Sequence, residues 1–111
     1  MEKVIKDNKV AVLYSPGYGA GWSTWNDKPE LVFDPVIVNM LLDAEDRPEQ
    51  SEEDLEDRIM VYLTLKYNDC YFGGVDTLTI KWVPIGSQFR ITEYDGSETV
   101  EIRDSLNWLT A

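Results

Sequence analysis

Four consecutive apolar residues, residues 10–13 (Val-Ala-Val-Leu), constrain the fold of this chain more than any other feature. A strand with one solvated face alternates apolar and polar residues, whereas an unbroken apolar run is typical of a strand that is buried on both faces. We therefore predict a strand over residues 9–15 that lies at the centre of a sheet. Pro16 and Gly17 end it.

Two helices are predicted after this strand. Asp34 followed by Pro35 is a helix start, and apolar residues at helical spacing continue to about residue 44. A second helix over about residues 52–67 begins after Ser51, with an aspartate at the capping-box position. Residues 60–64 on their own also fit a strand, so the sequence leaves both interpretations of that segment open.

The C-terminal part predicts a hairpin around Asp95 and Gly96, a dipeptide favoured in type I′ turns. A two-residue turn pairs Phe89 with Ile102 on an apolar face, and it also sets Glu93 opposite another glutamate near an exposed tip. That glutamate is Glu98, and the like-charge pair is unfavourable.

These elements, with an alternating strand over residues 77–83, predict an α+β fold. It consists of a small mixed sheet of about four strands, two helices packed on one face and the C-terminal antiparallel hairpin. A single domain over residues 1–111 is long enough to bury its own core. We also expect an extra strand near residues 3–5 and docking of residues 104–111 into the core.

Charge sets limits on the partners. Ten basic and 21 acidic residues give a net charge of −11, which disfavours direct binding to nucleic acid or to an anionic membrane. A basic protein is a compatible partner. The sequence shows no signal peptide and no membrane span, and its single cysteine, Cys70, forms no internal disulfide. We therefore expect a cytoplasmic protein.

Nine acidic residues and one arginine are crowded into residues 43–57. They form either a solvated linker and helix face or a docking surface for a basic partner, including a mimic of a nucleic-acid backbone. The spacing matches no EF-hand, and no metal site is predicted. The residues of this acidic surface are Asp43, Glu45, Asp46, Glu49, Glu52, Glu53, Asp54, Glu56 and Asp57.

The loop after the first strand, residues 15–26, interleaves three alternate glycines with aromatic residues. Glycine lets a backbone approach a ligand closely, and amides in such turns can hold an anion, but the spacing matches no phosphate-binding fingerprint. Rigid aromatic side chains beside small polar residues are typical of a recognition surface. Alternatively, Trp22 or Trp25 caps the core. The predicted binding residues are Tyr14, Gly17, Tyr18, Gly19, Gly21, Trp22 and Trp25.

Conventional catalysis is disfavoured. The chain has no histidine, which excludes Ser-His and Cys-His nucleophile systems and histidine metal ligands. Cys70 has no basic neighbour in sequence that would activate its thiol. Acidic residues at the hairpin would be exposed to water, which does not favour acid–base chemistry. We predict no enzyme activity, no catalytic residue and no cofactor.

Two segments carry a resemblance to known proteins. Residues 13–26 (Leu-Tyr-Ser-Pro-Gly-Tyr-Gly-Ala-Gly-Trp-Ser-Thr-Trp-Asn) and residues 89–98 (Phe-Arg-Ile-Thr-Glu-Tyr-Asp-Gly-Ser-Glu) resemble a group of small proteins without assigned activity that are found largely on phages and mobile elements. The resemblance covers most of the chain. It implies a phage setting and an accessory role, and it implies no site residues.

The sequence thus predicts a non-enzymatic accessory protein that binds a host or phage protein, with the loop aromatics as anchor. One alternative is a module that binds a nucleotide or a sugar through the glycine and aromatic loop. A third hypothesis is an acidic DNA mimic. The sequence also leaves open whether the hairpin is a sheet edge through which a dimer forms.

Overall fold

The structure is a computed structural model that describes residues 2–47, 49, 51–67 and 71–103. The predicted α+β class, with two helices and a C-terminal hairpin, is confirmed. Two short 3-10 helices cover Pro29–Val32 and Val75–Thr77. The strands and α-helices are β1 (Ile5–Lys6), β2 (Lys9–Tyr14), α1 (Pro35–Glu45), α2 (Glu52–Lys66), β3 (Thr79–Pro84), β4 (Phe89–Tyr94) and β5 (Ser97–Ile102).

The strands form two antiparallel sheets, β1-β2-β3 and β4-β5, where the sequence predicted one mixed sheet. The reason lies in β2, which is central in its sheet and buried on both faces, as predicted. Ala11 and Leu13 face the core against the helices. Val12 points to the other face and packs with Val83 and Ile102. The hairpin therefore covers the second face of the first sheet and does not extend its edge.

Both helices begin where the sequence placed their caps. The Asp34 carboxylate accepts from the amides of Val36 and Ile37 at the start of α1. The Ser51 hydroxyl oxygen accepts from the Asp54 amide at the start of α2. The strand alternative for residues 60–64 is wrong, because this segment lies within α2.

The predicted hairpin register is confirmed, including Phe89 opposite Ile102 and Glu93 opposite Glu98. Asp95 and Gly96 both have positive φ, as a type I′ turn requires. The prediction of an exposed tip is only partly right. Glu93, Tyr94 and Asp95 are exposed, but Gly96 and Glu98 are buried against the glycine loop. The predicted docking of residues 104–111 lies outside the described residues. None of the helices in the described ranges has the length and apolar character needed to cross a membrane.

Candidate functional site

The glycine loop and the hairpin turn form one bonded unit, which we call the loop–hairpin junction (residues 15–26 and 95–98). The Gly19 amide donates to the Asp95 carbonyl at 2.7 Å, and the Gly21 amide donates to the Gly96 carbonyl at 2.8 Å. These contacts join segments that are about 75 residues apart in the chain. The loop is therefore held in place by the end of the hairpin.

A buried carboxylate lies at the centre of this junction. Glu98 is 1% exposed, and its Oε1 accepts from the Ser15 amide at 3.1 Å. Its Oε2 accepts from the amides of Ser23 and Thr24, both at 2.9 Å, and from the Ser23 hydroxyl. The loop amides that could have held an external anion are thus bonded to the protein's own carboxylate.

Sequence reasoning missed this role, because it placed Glu98 at a hairpin tip exposed to water. One signal was present in the sequence: the register sets Glu93 opposite Glu98, which is unfavourable unless one of the two side chains finds another partner. The structure gives each a partner of its own, since Glu93 accepts from the Gly96 amide at 2.7 Å while Glu98 binds the loop.

Three of the four glycines of the junction serve close packing within the chain, whereas a Cβ on Gly19 would meet no atom within 4 Å. A Cβ on Gly21 would lie 2.2 Å from the Trp25 ring, and a Cβ on Gly17 would lie 2.6 Å from the Thr77 hydroxyl oxygen. At Gly96, a Cβ would lie 2.8 Å from backbone atoms of Gly19. The backbone thus approaches its own hairpin turn and side chains, where the sequence had suggested a close approach to a ligand.

A pair of glycines tests this packing directly. Gly96 and Gly86 have nearly the same positive φ, +83° and +85°, but a Cβ on Gly86 would meet no atom within 4 Å. Both Gly→Ala variants pay the backbone cost of about 1–2 kcal/mol, and Gly96→Ala adds an overpacking cost of about 1–3 kcal/mol. Urea denaturation should therefore show Gly96→Ala to be clearly the less stable of the two. Equal stabilities would contradict the packing.

The predicted aromatic residues have different environments. Trp22 is fully buried in the core, and its Nε1 donates to the Leu31 carbonyl, which is the alternative that the sequence left open. Its ring is not accessible as a surface anchor. Tyr14 is half-buried at the end of β2. Tyr18 and Trp25, in contrast, are 79% and 46% exposed.

Two tyrosines that the sequence did not single out join these exposed residues. Tyr71 is 44% exposed, its ring lies 5.5 Å from that of Trp25, and its hydroxyl donates to the Gly19 carbonyl at 2.8 Å. Tyr94 is 77% exposed and directly precedes Asp95, the hairpin residue that binds Gly19. We call the four side chains the aromatic rim: Tyr18, Trp25, Tyr71 and Tyr94.

The rim is attached firmly to the protein. The Asn26 side chain donates to the carbonyls of Trp22 and Tyr71 and accepts from the Tyr71 amide, at 2.7 to 2.9 Å. One amide group thereby fastens the loop to the distant segment that carries Tyr71. Large exposed rings on a backbone whose hydrogen bonds are made internally are pre-organised for contact with another molecule.

The acidic surface lies elsewhere, on the end of α1, the α1–α2 connection and the N-terminal part of α2. Its residues are exposed, apart from the half-buried Glu56. Glu52, Glu53 and Asp54 occupy the first turn of α2, where they suit the positive end of the helix dipole. Within the described part of the chain, no group of three or more acidic or cysteine residues could hold a metal ion.

A second buried carboxylate, Asp34, was predicted only as a helix cap. Asp34 is 1% exposed, and its carboxylate accepts hydrogen bonds from the hydroxyls of Tyr62 and Tyr67. It also accepts one from the Lys66 ammonium, at 3.1 Å. Burial alone would raise the pKa of Asp34, but hydrogen bonds from Tyr67, Lys66 and Tyr62 outweigh burial and lower the pKa. This cluster joins the start of α1 to the end of α2.

Comparisons with protein-family models, with curated protein sequences and with solved structures found no match to this chain.

Proposed function

We propose that this protein is a non-enzymatic binding module that recognises a partner protein through the aromatic rim. The observation that supports this proposal is the exposure of four large aromatic side chains on or next to the internally bonded junction. Aromatic residues dominate the energetics of protein interfaces, and a rigid support reduces the entropy lost on binding. The phage setting and the cytoplasmic location remain predictions from the sequence.

The acidic surface would act on the rate of encounter. Exposed acidic residues attract a basic partner over distances limited by salt, and they contribute more to association rate than to affinity. We propose that the partner therefore carries a basic patch. The DNA-mimic hypothesis makes the same charge argument for a DNA-binding partner, and it predicts competition by duplex DNA.

One observation favours the alternative of a small-ligand module. A groove of about 570 Å³ runs between the loop and β4, and it is lined by Thr24, Lys28, Phe33, Phe89 and Arg90 among others. The Thr24 hydroxyl oxygen is buried and has no hydrogen-bond partner among the described residues. The glycine-loop amides support this alternative less, because Glu98 and the hairpin turn bind five of them. To test this alternative, the melting temperature of the protein is measured with each member of a panel of nucleotides and sugars. A ligand of this groove should raise the melting temperature, whereas a protein-binding module should show no change.

The proposed function is tested with the variant Tyr18→Ala/Trp25→Ala. Wild type and variant are immobilised and exposed to a lysate of the organism that carries the protein, and each protein retained is then titrated in purified form. Loss of two exposed aromatic anchors should weaken binding of the true partner by about thirtyfold or more, since one such anchor is worth about 2 kcal/mol and about 1.4 kcal/mol corresponds to tenfold.

The matched control is Val61→Ala/Leu65→Ala, which removes two exposed apolar side chains from α2. We expect this control to bind as wild type does, and circular dichroism should show all three proteins folded. A partner that binds the rim variant and wild type equally would contradict the aromatic rim as its anchor.

A further inference from the structure

One edge of the three-stranded sheet is open. β3 pairs with β2, and no described strand pairs with its other edge. The Ile85 amide donates to the Asn8 carbonyl just past the end of the β2–β3 ladder. Because antiparallel strands use alternate residues for each neighbour, Ile80 and Trp82 direct their N–H and C=O groups to the open edge. Pro84, which has no N–H, occupies the next outward position.

A groove of about 450 Å³ lies between β3 and the helices. Leu41, Leu55, Ile80 and Trp82 line it with half-buried apolar side chains. The two acidic residues at the groove, Glu45 and Glu52, belong to the acidic surface. The groove therefore combines unpaired strand groups, apolar walls and negative charge.

We propose that this groove binds an extended segment of the partner protein that carries lysine or arginine and adds as a strand to β3. This inference rests on the proposed function, because it adds a second contact for the same partner. Ile80 and Trp82 offer up to four backbone hydrogen bonds to such a segment. Side chains on alternate positions would enter the groove, which is the usual division between affinity and specificity in strand addition.

The charges determine the occupant. Lysine and arginine can lay their aliphatic stems on Leu41 and Leu55 while their charged ends approach Glu45 and Glu52. A second copy of this chain would bring two acidic surfaces together, each on a chain of net charge −11, which disfavours it. Beyond Trp82, an adjoining hollow is bordered by Lys6 and Lys9 together with Asp7 and Glu45, so its charges offset one another. The excess of negative charge lies in the groove itself, and we place the basic side chains of the segment between Glu45 and Glu52.

The probe is a synthetic peptide, Thr-Lys-Thr-Val-Thr-Lys-Thr, which as a strand presents both lysines and the valine on one face. Two peptides serve as controls: one has the same composition with these residues on different faces, and the other has glutamate in place of lysine. We expect only the probe to slow hydrogen exchange of the Ile80 and Trp82 amides, by about tenfold once its chemical-shift changes saturate. Unchanged exchange at both amides would overturn the proposal.

The two acidic residues of the groove provide a second test. Glu45→Lys/Glu52→Lys changes the residues in the groove, whereas Asp46→Lys/Glu53→Lys changes their exposed neighbours in sequence, which do not line it. Each pair brings the net charge from −11 to −7. We expect the first pair to weaken the probe about tenfold and the second about twofold, because only the first removes local contacts. If the two pairs weakened the probe equally, the acidic residues would act only by long-range attraction, which would contradict binding in the groove.

The outcomes separate this inference from the proposed function. A partner that is lost on Tyr18→Ala/Trp25→Ala, with no protection at the β3 edge, supports the aromatic rim and overturns the groove. Protection of the edge without any effect of the rim variant would support the groove and overturn the rim. Light scattering could instead show a dimer in the absence of peptide, with the Ile80 and Trp82 amides protected. That result would overturn the partner segment as the occupant of the groove and assign a second copy of this chain in its place.

Discussion

Replacing Glu98 by alanine is expected to lower the free energy of unfolding by about 3 kcal/mol or more. The change leaves the amides of Ser15, Ser23 and Thr24 without their acceptor in a closed site. An unpaired buried donor costs about 1–3 kcal/mol. Glu98→Gln should fall between wild type and alanine, because its amide retains one oxygen acceptor and turns an N–H₂ group toward the other donors.

The matched control for this prediction is Glu101→Ala. Glu101 lies on the same strand as Glu98, and Glu101→Ala removes the same charge. The Glu101 carboxylate lies 2.8 Å from Nε of Arg90, whose side chain is largely exposed. A surface ion pair of this kind contributes about 0–1 kcal/mol. Urea denaturation at neutral pH measures both variants. Similar losses for Glu98→Ala and Glu101→Ala would show that the buried carboxylate does not hold the junction.

The same variant has a consequence for binding. Glu98 holds the loop on which Tyr18 and Trp25 lie, so Glu98→Gln should loosen the aromatic rim without removing any of its rings. Faster hydrogen exchange at the Ser23 and Thr24 amides would report this loosening. Weaker partner binding with all four rim side chains present would then connect the rigidity of the junction to affinity.

The sequence predicted what depends on local pattern. The apolar run in β2, the Asp34 and Ser51 caps and the turn at residues 95 and 96 each give their signal within a few residues, and each led to the element that the structure shows. The junction depends on contacts between residues about 75 positions apart, such as that of Ser23 with Glu98. Neither the periodicity of apolar residues nor a turn preference predicts a contact of this kind.

The candidate site shows this limit most clearly. Glycines that let a backbone approach a ligand and glycines that let it approach its own hairpin have the same sequence pattern. Trp22 and Trp25 have similar neighbours in sequence, yet one fills the core while the other contacts Tyr71 at the surface. Only the path of the chain decides between these roles, because burial depends on what packs against each ring.

Asp34 provides the second large effect that we expect. Asp34→Ala removes the cap of α1 and leaves two tyrosine hydroxyls and the amides of Val36 and Ile37 without an acceptor. We expect a loss of about 3 kcal/mol at neutral pH, of which the cap accounts for about 1 kcal/mol. Lys66 adds little, because its side chain is 45% exposed. Asp43→Ala, at an exposed position on α1, is the control and should be nearly neutral.

The lowered pKa of Asp34 determines how its stabilisation of the fold changes with pH. The pKa of Asp34 lies below its ordinary value of 3.8 in the folded protein, so its stabilisation is present above that value and is lost as pH falls through the lowered pKa. The difference in unfolding free energy between wild type and Asp34→Ala should therefore shrink on acidification below about pH 3.8. Comparing the two proteins cancels the other carboxyl groups, which titrate in both. A difference that stays constant from pH 7 to strong acid would mean that the ionised carboxylate is not what binds α1 to α2.

Tyr67 extends the same argument to high pH. Burial, together with the hydrogen bond to Asp34, raises the pKa of the Tyr67 phenol, since both disfavour its ionised form. Its contribution is therefore complete below the ordinary value of 10.0 and is lost as pH rises through the raised pKa. Tyr67→Phe should remove the part of the alkaline dependence that Tyr67 contributes, leaving the part from Tyr62 and Lys66, whose pKa values are also raised, and it should weaken the hold on Asp34. The acid transition of that variant should then move upward, toward the ordinary pKa of an aspartate, because one of the hydrogen bonds that lower the pKa of Asp34 is gone.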